Sequence, residues 1–189
     1  MWLEPDCNIS SGESLIRHII YGRRFFEQEL GAEKNEVLWL PDVFGYSAAL
    51  PQILQKSGIP YFMTTKIGWN EFNRFPHDTF LWKGIDGTEV LTHLITTRNY
   101  QKPGDLKMVG NHSTTYNGLQ NASQLMGTWQ RYQDKDVSTE VLTCYGYGDG
   151  GGGPTEEMLE RSRRLEHSVV ECPAARQTGV KEFFHILEE

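Results

Sequence analysis

The sequence predicts an α/β protein of parallel βα units, arranged in a sheet or barrel-like fold, with a β-hairpin insertion. Short apolar runs of strand length alternate with segments whose apolar residues recur at helical spacing. The turn dipeptide Asp86-Gly87 also separates two extended runs, which is typical of a hairpin. Strands separated by helices favour parallel pairing, and their carboxyl ends then meet at one face.

The first elements are a long helix, a short strand and a second helix. Ser10 and Glu13 form a capping-box signature, and the helical pattern that follows ends at Gly31. The run "VLWL", residues 37–40, has the length of a buried strand. A second helix is predicted around Ile53 and Leu54, with Pro51 in its first turn and Gly58 closing it.

The later elements follow the same alternation. "YFMTT" predicts a strand over residues 61–65, and the hairpin is predicted between residues 79 and 94. Beyond an irregular polar loop at 103–117, the remaining predictions are a helix at 125–132, a strand at 140–145 ("EVLTCY"), a helix at 158–165 and a last helix at 180–187.

Composition excludes several classes of partner. The 189 residues carry a formal net charge of -7 without a dense run of Lys or Arg, which argues against binding of nucleic acid or an anionic membrane surface. No apolar run is long enough to span a membrane, and the N-terminus lacks a basic leader. Three widely spaced cysteines predict neither a disulfide framework nor a thiolate zinc site. We expect a soluble cytoplasmic protein.

Two aspartates follow predicted strands. Asp42 comes directly after "VLWLP", and Asp149 comes a few residues after "EVLTCY". Both side chains could point from strand ends into one pocket. By the pattern alone, Asp42 could instead be a helix N-cap at a strand-to-helix turn.

The glycine-rich stretch "YGYGDGGGGPTEEMLE" permits three interpretations. Its glycines and the following helix suggest a phosphate cradle. However, the stretch lacks the Gly-Lys-Ser/Thr ending of a P-loop, and Glu171, at the position of the acidic residue of a dinucleotide-binding motif, has no second helical unit properly placed before it. Asp149 would also repel a phosphate. A carboxylate held by backbone beside a neutral ligand suits proton transfer or hydrogen bonding to hydroxyls. The glycines could also form only a tight turn that Asp149 caps.

Six motifs resemble the family 38 glycoside hydrolases, the retaining α-mannosidases, and most closely their cytosolic and bacterial branch. They are "WLEPDCN", "SGESLIR", "WLPDVFGYSAALPQIL", "WNEFNRFPHDTFLWKGIDG", "TYNG" and "YGYGDGGGGPTEEMLE", and they cover nearly the whole chain. The resemblance implies that residues 1–189 are part of an α/β barrel-like catalytic domain, acting on mannose-containing oligosaccharides. It also implies that Asp42 is the catalytic nucleophile and a zinc ligand.

A retaining glycosidase needs a nucleophile and an acid about 5 Å apart. Asp149 is the candidate acid, although other branches of the family spell this stretch as a Gly-Asp-Asp type, and aligning that on "YGDGGGG" could put Gly150 at the acid position. Phe44 and Tyr46 could form apolar and hydroxyl walls of a sugar pocket, and Lys66 could contact substrate or be solvated. The residues of the matching motifs that could line the sugar site are Asp6, Asn8, Trp69 and Asn70. Trp2, Trp69 and Trp82 could equally pack in the core or the hairpin, which suits Trp82 best.

The resembling family also has an upstream His-x-Asp zinc pair and a downstream His, and none of the six histidines of this sequence lies in either motif. Since zinc needs three or more protein ligands, we expect the 189 residues alone to be inactive, to lack tightly bound zinc and to self-associate through uncovered sheet edges.

Two other function classes stay open. A carbohydrate-binding domain without catalysis would need aromatic platforms but no pair of strand-end acids. A phosphate- or nucleotide-binding domain would use the glycine loop.

Overall fold

Helices alternate with short strands in the computed structural model, which describes residues 1–70, 72–104, 114–167 and 169–189. The elements are α1 (Gly12–Leu30), β1 (Val37–Leu40), α2 (Leu50–Lys56), β2 (Tyr61–Thr64), β3 (Thr79–Lys83), β4 (Glu89–Leu94), α3 (Ala122–Arg131), α4 (Glu156–Glu166) and α5 (Val180–Glu188). The predicted α/β class is confirmed. Most of the loop predicted at 103–117 lies outside the described residues.

The chain divides into two compact units. Unit 1 comprises Met1–Ile67, Thr79–His93 and Glu188, and unit 2 comprises Gly68–Asp78, Leu94–Leu187 and Glu189. No helix in the described ranges is both long and apolar enough to cross a membrane.

The four strands form one sheet among the described residues, in the order β1-β2-β4-β3. β1 and β2 are parallel, with Leu40 opposite Thr64 at their carboxyl ends. β3 and β4 are antiparallel, and the Gly84 amide donates to the Thr88 carbonyl across the predicted hairpin turn. The sheet is therefore mixed, because the hairpin joins it. The barrel-like arrangement stays a prediction.

The strand predicted at residues 140–145 is wrong. In this segment only Tyr145 forms a β-bridge in the part of the chain that the structure describes, and its parallel partner is Gly118. A strand requires a continuous ladder, and an apolar run without a neighbouring strand lacks one. Residues 140–143 instead line a cavity of about 420 Å³ in unit 2, which contains none of the predicted site residues.

Unit 1 is built around α1 and the sheet. Leu15, Ile19 and Gly22 lie on the buried face of α1. A Cβ atom at Gly22 would lie 2.5 Å from the backbone nitrogen of Trp2, so only glycine permits this close approach. The core contains these buried apolar side chains: Cys7, Leu15, Ile19, Leu38, Leu40, Val43, Leu50, Leu54, Ile59, Phe62 and Val90.

Both ends of α1 have capping contacts. The helix ends as predicted at Gly31, which has a left-handed backbone. At its start, the capping side chain is Ser11, one residue after the predicted Ser10, and its hydroxyl accepts from the Ser14 amide.

Unit 2 contains α3 and α4, whose N-caps are Asn121 and Thr155. Their side chains accept hydrogen bonds from the amides of Gln124 and Met158. Buried apolar side chains of this unit are Leu94, Ile95, Leu125, Tyr132, Met158, Leu165, Phe183 and Phe184.

Candidate active site

Asp42 and Lys66 lie at the carboxyl ends of two paired parallel strands. Asp42 follows β1 by two residues and Lys66 follows β2 by two, so the register that places Leu40 opposite Thr64 also brings their side chains together. Lys66 Nζ lies 3.0 Å from Asp42 Oδ1, and the side-chain exposure is 7% for Lys66 and 40% for Asp42. The ammonium group of this ion pair is therefore shielded from solvent, whereas solvent can reach the carboxylate. The predicted strand-end position of Asp42 is confirmed.

The surroundings of Asp42 are mixed in polarity. Lys66 Nζ lies 5.2 Å from the ring centroid of Phe44, which is 74% exposed. Desolvation and the nearby charge of Asp42 raise the pKa of Glu4, which the sequence analysis did not single out. Asp42 does not cap α2, whose N-cap is Ala49 without a side-chain hydrogen bond. The alternative role as a helix cap is therefore wrong.

The Tyr46 hydroxyl is engaged within unit 1. Its oxygen lies 3.0 Å from the backbone carbonyl oxygens of both Leu40 and Val43, which share its one proton, and 2.5 Å from Thr64 Oγ1. Burial raises the pKa of Tyr46 well above its ordinary value. These contacts join the carboxyl ends of β1 and β2 and hold the backbone on both sides of Asp42.

The N-terminal segment packs against the same region. Asp6 Oδ1 accepts from the amides of Asn8 and Ile9 at 2.8 and 2.7 Å, and these bonds lower the Asp6 pKa. Asn8 contacts Gly45 so closely that a Cβ atom there would lie 2.2 Å from Asn8 Nδ2. Asp6 therefore shapes a turn that places Asn8 beside the "DVFGY" loop.

Trp82 packs against other aromatic side chains, as the sequence predicts. Its ring centroid lies 5.4 Å from that of Phe62 and 6.3 Å from that of Tyr46.

Trp69 and Asn70 belong to unit 2. Trp69 Nε1 donates to the Thr114 carbonyl at 2.8 Å, while 45% of the residue stays exposed. Asn70 Oδ1 accepts from the amides of Phe72 and Asn73. The Trp69 ring is thus an anchored aromatic surface, whereas the Asn70 oxygen shapes the local turn.

Asp149 lies in unit 2 at the tip of the glycine loop. Mutual hydrogen bonds between the backbones of Tyr147 and Gly153, both 2.8 Å, close the loop, and Asp149 adopts a φ of +52°. Asn117 Nδ2 donates to Asp149 Oδ2 at 3.3 Å. The N-cap of the following helix is Thr155, and the interpretation of the glycines as only a tight turn capped by Asp149 stays open.

Asn117 is a neighbour of the candidate acid that we did not predict, although it lies in the "TYNG" motif. A Cβ atom at Gly148 would lie 2.2 Å from Asn117 Oδ1, so glycine is required there for the close approach. Since Asp42 belongs to unit 1 and Asp149 to unit 2, their meeting in one pocket stays a prediction.

The described residues do not by themselves form a zinc site. Over these ranges, no group of three or more His, Cys, Asp or Glu side chains is placed to hold a metal ion. The one predicted ligand, Asp42, has an ammonium group at its Oδ1. His112 lies outside the described residues. Zinc therefore stays a proposal.

Comparisons with known proteins agree with the sequence motifs. The chain is 42% identical over 187 residues to "Alpha-mannosidase G" of Dictyostelium discoideum, and 39% identical over 187 residues to "Alpha-mannosidase 2C1" of Homo sapiens. In both cases the alignment covers 99% of this chain but 16% of the relative. The chain thus spans about a sixth of the length of these curated relatives.

A solved structure shares the fold. The crystal structure of an alpha-mannosidase from Enterococcus faecalis V583 matches with a TM-score of 0.67 at 16% sequence identity, over 98% of this chain and 20% of the other. The family described as "Glycosyl hydrolases family 38 N-terminal domain" matches residues 1–189. This chain belongs to that family, the N-terminal domain of the family 38 glycosyl hydrolases.

Proposed function

We propose that the complete gene product carrying these residues is a retaining α-mannosidase that hydrolyses terminal α-mannosides of oligosaccharides. Family membership supports the reaction class. The observation that carries the proposal is the partly exposed Asp42 carboxylate at a strand end, paired through Oδ1 with buried Lys66. Carboxyl ends of parallel strands are where α/β enzymes commonly place reacting groups.

The reaction has two steps. An oxygen of ionised Asp42 attacks the anomeric carbon while the glycosidic C–O bond breaks, and Asp149 gives its proton to the leaving oxygen. Water then attacks the anomeric carbon of the mannosyl-Asp42 ester, Asp149 accepts the proton of that water, and the Asp42 carboxylate leaves. The proton that Asp149 gives to the leaving oxygen is replaced by the proton that it accepts from water. Because the anomeric carbon is attacked twice, from opposite faces, its configuration is retained.

Lys66 and Tyr46 prepare Asp42 for this reaction. The Lys66 ammonium fixes Oδ1, and Oδ2 has no hydrogen-bond partner among the described residues, so Oδ2 is the attacking oxygen in our proposal. Tyr46 holds the strand end that carries Asp42. The exposed Phe44 ring offers an apolar surface to the sugar face.

A bound zinc ion would hold sugar hydroxyls and favour a distorted ring. Asp42 is the candidate ligand from this chain, and no step above depends on the metal.

The nucleophile can be tested by covalent trapping in the complete gene product. A fluorinated mannosyl fluoride loses its anomeric fluoride and forms the glycosyl-enzyme faster than that ester is hydrolysed, so it should add the mass of one fluoromannosyl group to the peptide containing Asp42. The Asp42→Ala variant should lose both the label and turnover, whereas Asp136→Ala, at an exposed aspartate of unit 2, should keep both. A label on another peptide would contradict the assignment. Sugar binding without label or turnover in the wild type would favour a non-catalytic carbohydrate-binding domain.

A further inference from the structure

A buried ion pair joins the segment that carries Trp69 to the end of α3. Asp78 ends this Gly68–Asp78 segment, and Arg131 is the last residue of α3. Asp78 is 2% exposed and Arg131 is 6% exposed, and Arg131 Nη1 lies 3.5 Å from Asp78 Oδ1. Arg74, within the segment, lies 3.5 Å from Asp78 Oδ2 and also donates to the Arg131 carbonyl.

Residues just after α3 form further hydrogen bonds with the same segment. The Gln133 amide donates to Asp78 Oδ2 at 2.9 Å, and Gln133 Nε2 donates to the Phe75 carbonyl at 2.7 Å. Asp134 Oδ2 accepts from the Asp78 amide at 2.5 Å, while Asp134 Oδ1 lies 2.8 Å from His77 Nδ1. The second half of the segment is thus bonded to residues 131–134 by backbone and side chains.

Arg131 also supports the first half of the segment. A Cβ atom at Gly68 would lie 3.3 Å from Arg131 Nη2, so the guanidinium lies directly against the residue that precedes Trp69. Thr114 lies near the same position, because its Oγ1 would be 3.6 Å from that Cβ atom, and its carbonyl accepts the hydrogen bond of the Trp69 indole. Arg131 therefore packs against the residue before Trp69, and Thr114 holds the indole nitrogen.

Stability alone does not explain a buried pair of this kind. Burial raises the pKa of Asp78 and lowers that of Arg131 to about 10, so desolvation outweighs the attraction between them. Buried ion pairs are often no more stabilising than apolar residues of the same volume, and fixing one conformation is a possible reason to keep them.

We propose that Asp78, Arg131 and Gln133 are positioning residues that hold the Gly68–Asp78 segment so that the Trp69 ring forms a binding surface for the sugar. The inference rests on the proposed function, because it takes a mannoside as the ligand. Aromatic rings present a flat apolar face that packs against the C–H groups of a sugar. Such a contact exists before and during the reaction, so its loss should raise KM and leave kcat nearly unchanged.

The sharpest variant is Gln133→Ala, because it removes the exposed side-chain hydrogen bond to Phe75 and the side-chain hydrogen bond to Asp78, while the Gln133 amide and Arg131 stay beside Asp78. The matched control is Gln130→Ala, three residues earlier in the last turn of α3, whose side chain makes exposed hydrogen bonds to the backbone of Gln101. Asp78→Asn is the stronger variant. Should it fail to fold, Gln133→Ala still decides the outcome.

Two measurements on the complete gene product test the proposal. Hydrogen exchange, followed by mass spectrometry of the peptide covering residues 68–78, should speed up about threefold or more in Gln133→Ala and stay unchanged in Gln130→Ala. With an aryl α-mannoside, Gln133→Ala should raise KM about threefold and Trp69→Ala about tenfold, with kcat within about twofold of wild type.

A double variant separates positioning from general structure. If Gln133 acts through Trp69, then Gln133→Ala should add nothing to KM in the Trp69→Ala background, because the contact it positions is already absent. Additive effects on KM, or faster exchange without a change in KM, would overturn the proposal. If the wild-type gene product hydrolyses no mannoside, the proposed function fails, and the exchange measurement still decides whether Gln133 orders the segment.

Discussion

The pairing of Asp42 with Lys66 gives the two residues unequal energetic roles. The Lys66 side chain is 7% exposed and the Asp42 side chain is 40% exposed. Water can therefore hydrate the carboxylate, whereas it barely reaches the ammonium group. Removing Asp42 takes away the carboxylate that lies 3.0 Å from the buried ammonium group of Lys66. Removing Lys66 leaves a carboxylate that water can reach.

We therefore predict an asymmetric effect on stability. Asp42→Asn should lower the free energy of unfolding by about 1–3 kcal/mol, between the values of exposed and buried pairs, whereas Lys66→Met should cost less than about 1 kcal/mol. Urea denaturation of both variants measures the difference. A larger loss for Lys66→Met would mean that the Lys66 stem, rather than the charge pair, carries the stabilisation.

At Asp149 the backbone decides which substitution is informative. Its φ of +52° favours Asn over Ala, because Asn adopts left-handed backbone more readily than other residues with a side chain. Asn also keeps an oxygen that can accept from Asn117 Nδ2. Asp149→Asn thus removes the transferable proton and little else.

We predict that Asp149→Asn lowers turnover of unactivated mannosides by about 100-fold to 10,000-fold. Aryl mannosides whose leaving group needs no protonation should lose much less. Steady-state rates over a series of leaving groups of decreasing pKa give the test. Equal losses across the series would contradict the role of Asp149 as the acid and point to a structural role.

Among the secondary-structure elements, helices and the hairpin were predictable because their signals are local. The spacing of apolar residues identified all five helices among the described residues, and Asp86-Gly87 identified the hairpin turn. The strand at 140–145 failed because strand formation depends on a neighbour that sequence spacing does not report. Whether an apolar run joins a ladder is a tertiary property.

The start of α1 shows the limit of cap prediction. Ser10 and Ser11 are both good caps, and the motif with Glu13 favoured Ser10. In the structure the Ser11 hydroxyl accepts from the Ser14 amide instead. Adjacent serines leave the helix start uncertain by one residue, which agrees with the general imprecision of helix ends.

Replacement of the two serines should separate their roles. Ser11→Ala should lower the free energy of unfolding by about 1 kcal/mol, because it leaves the Ser14 amide without its partner. Ser10→Ala should change it by less than about 0.5 kcal/mol, as for a surface position. Urea denaturation of the two variants side by side is the measurement. A larger effect of Ser10→Ala would restore the predicted capping box.

For the whole molecule, the sequence motifs predicted the family, and local geometry then explained part of the site. The strand-end position of Asp42 follows from a short apolar strand, and the structure adds Lys66 as its ion-pair partner. Sequence spacing did not reveal Asn117, whose contact with Asp149 joins segments 32 positions apart. Long-range contacts of this kind depend on the tertiary fold.

Metal binding by the 189 residues alone is the last prediction. Zinc sites in proteins use at least three protein ligands, and Asp42 is the one ligand that we predicted, with Lys66 Nζ already 3.0 Å from its Oδ1. A zinc ion approaching Asp42 would meet a buried positive charge and would have to keep water at most of its coordination positions. We therefore expect less than stoichiometric zinc after dialysis of the isolated chain, and no measurable hydrolysis of an aryl α-mannoside with zinc added. The Lys66→Met variant should be measured beside the wild type. If the ammonium group of Lys66 competes with zinc for the Asp42 carboxylate, its removal should raise the amount of zinc retained. One tightly held zinc per wild-type chain would show that residues other than those identified here complete the site.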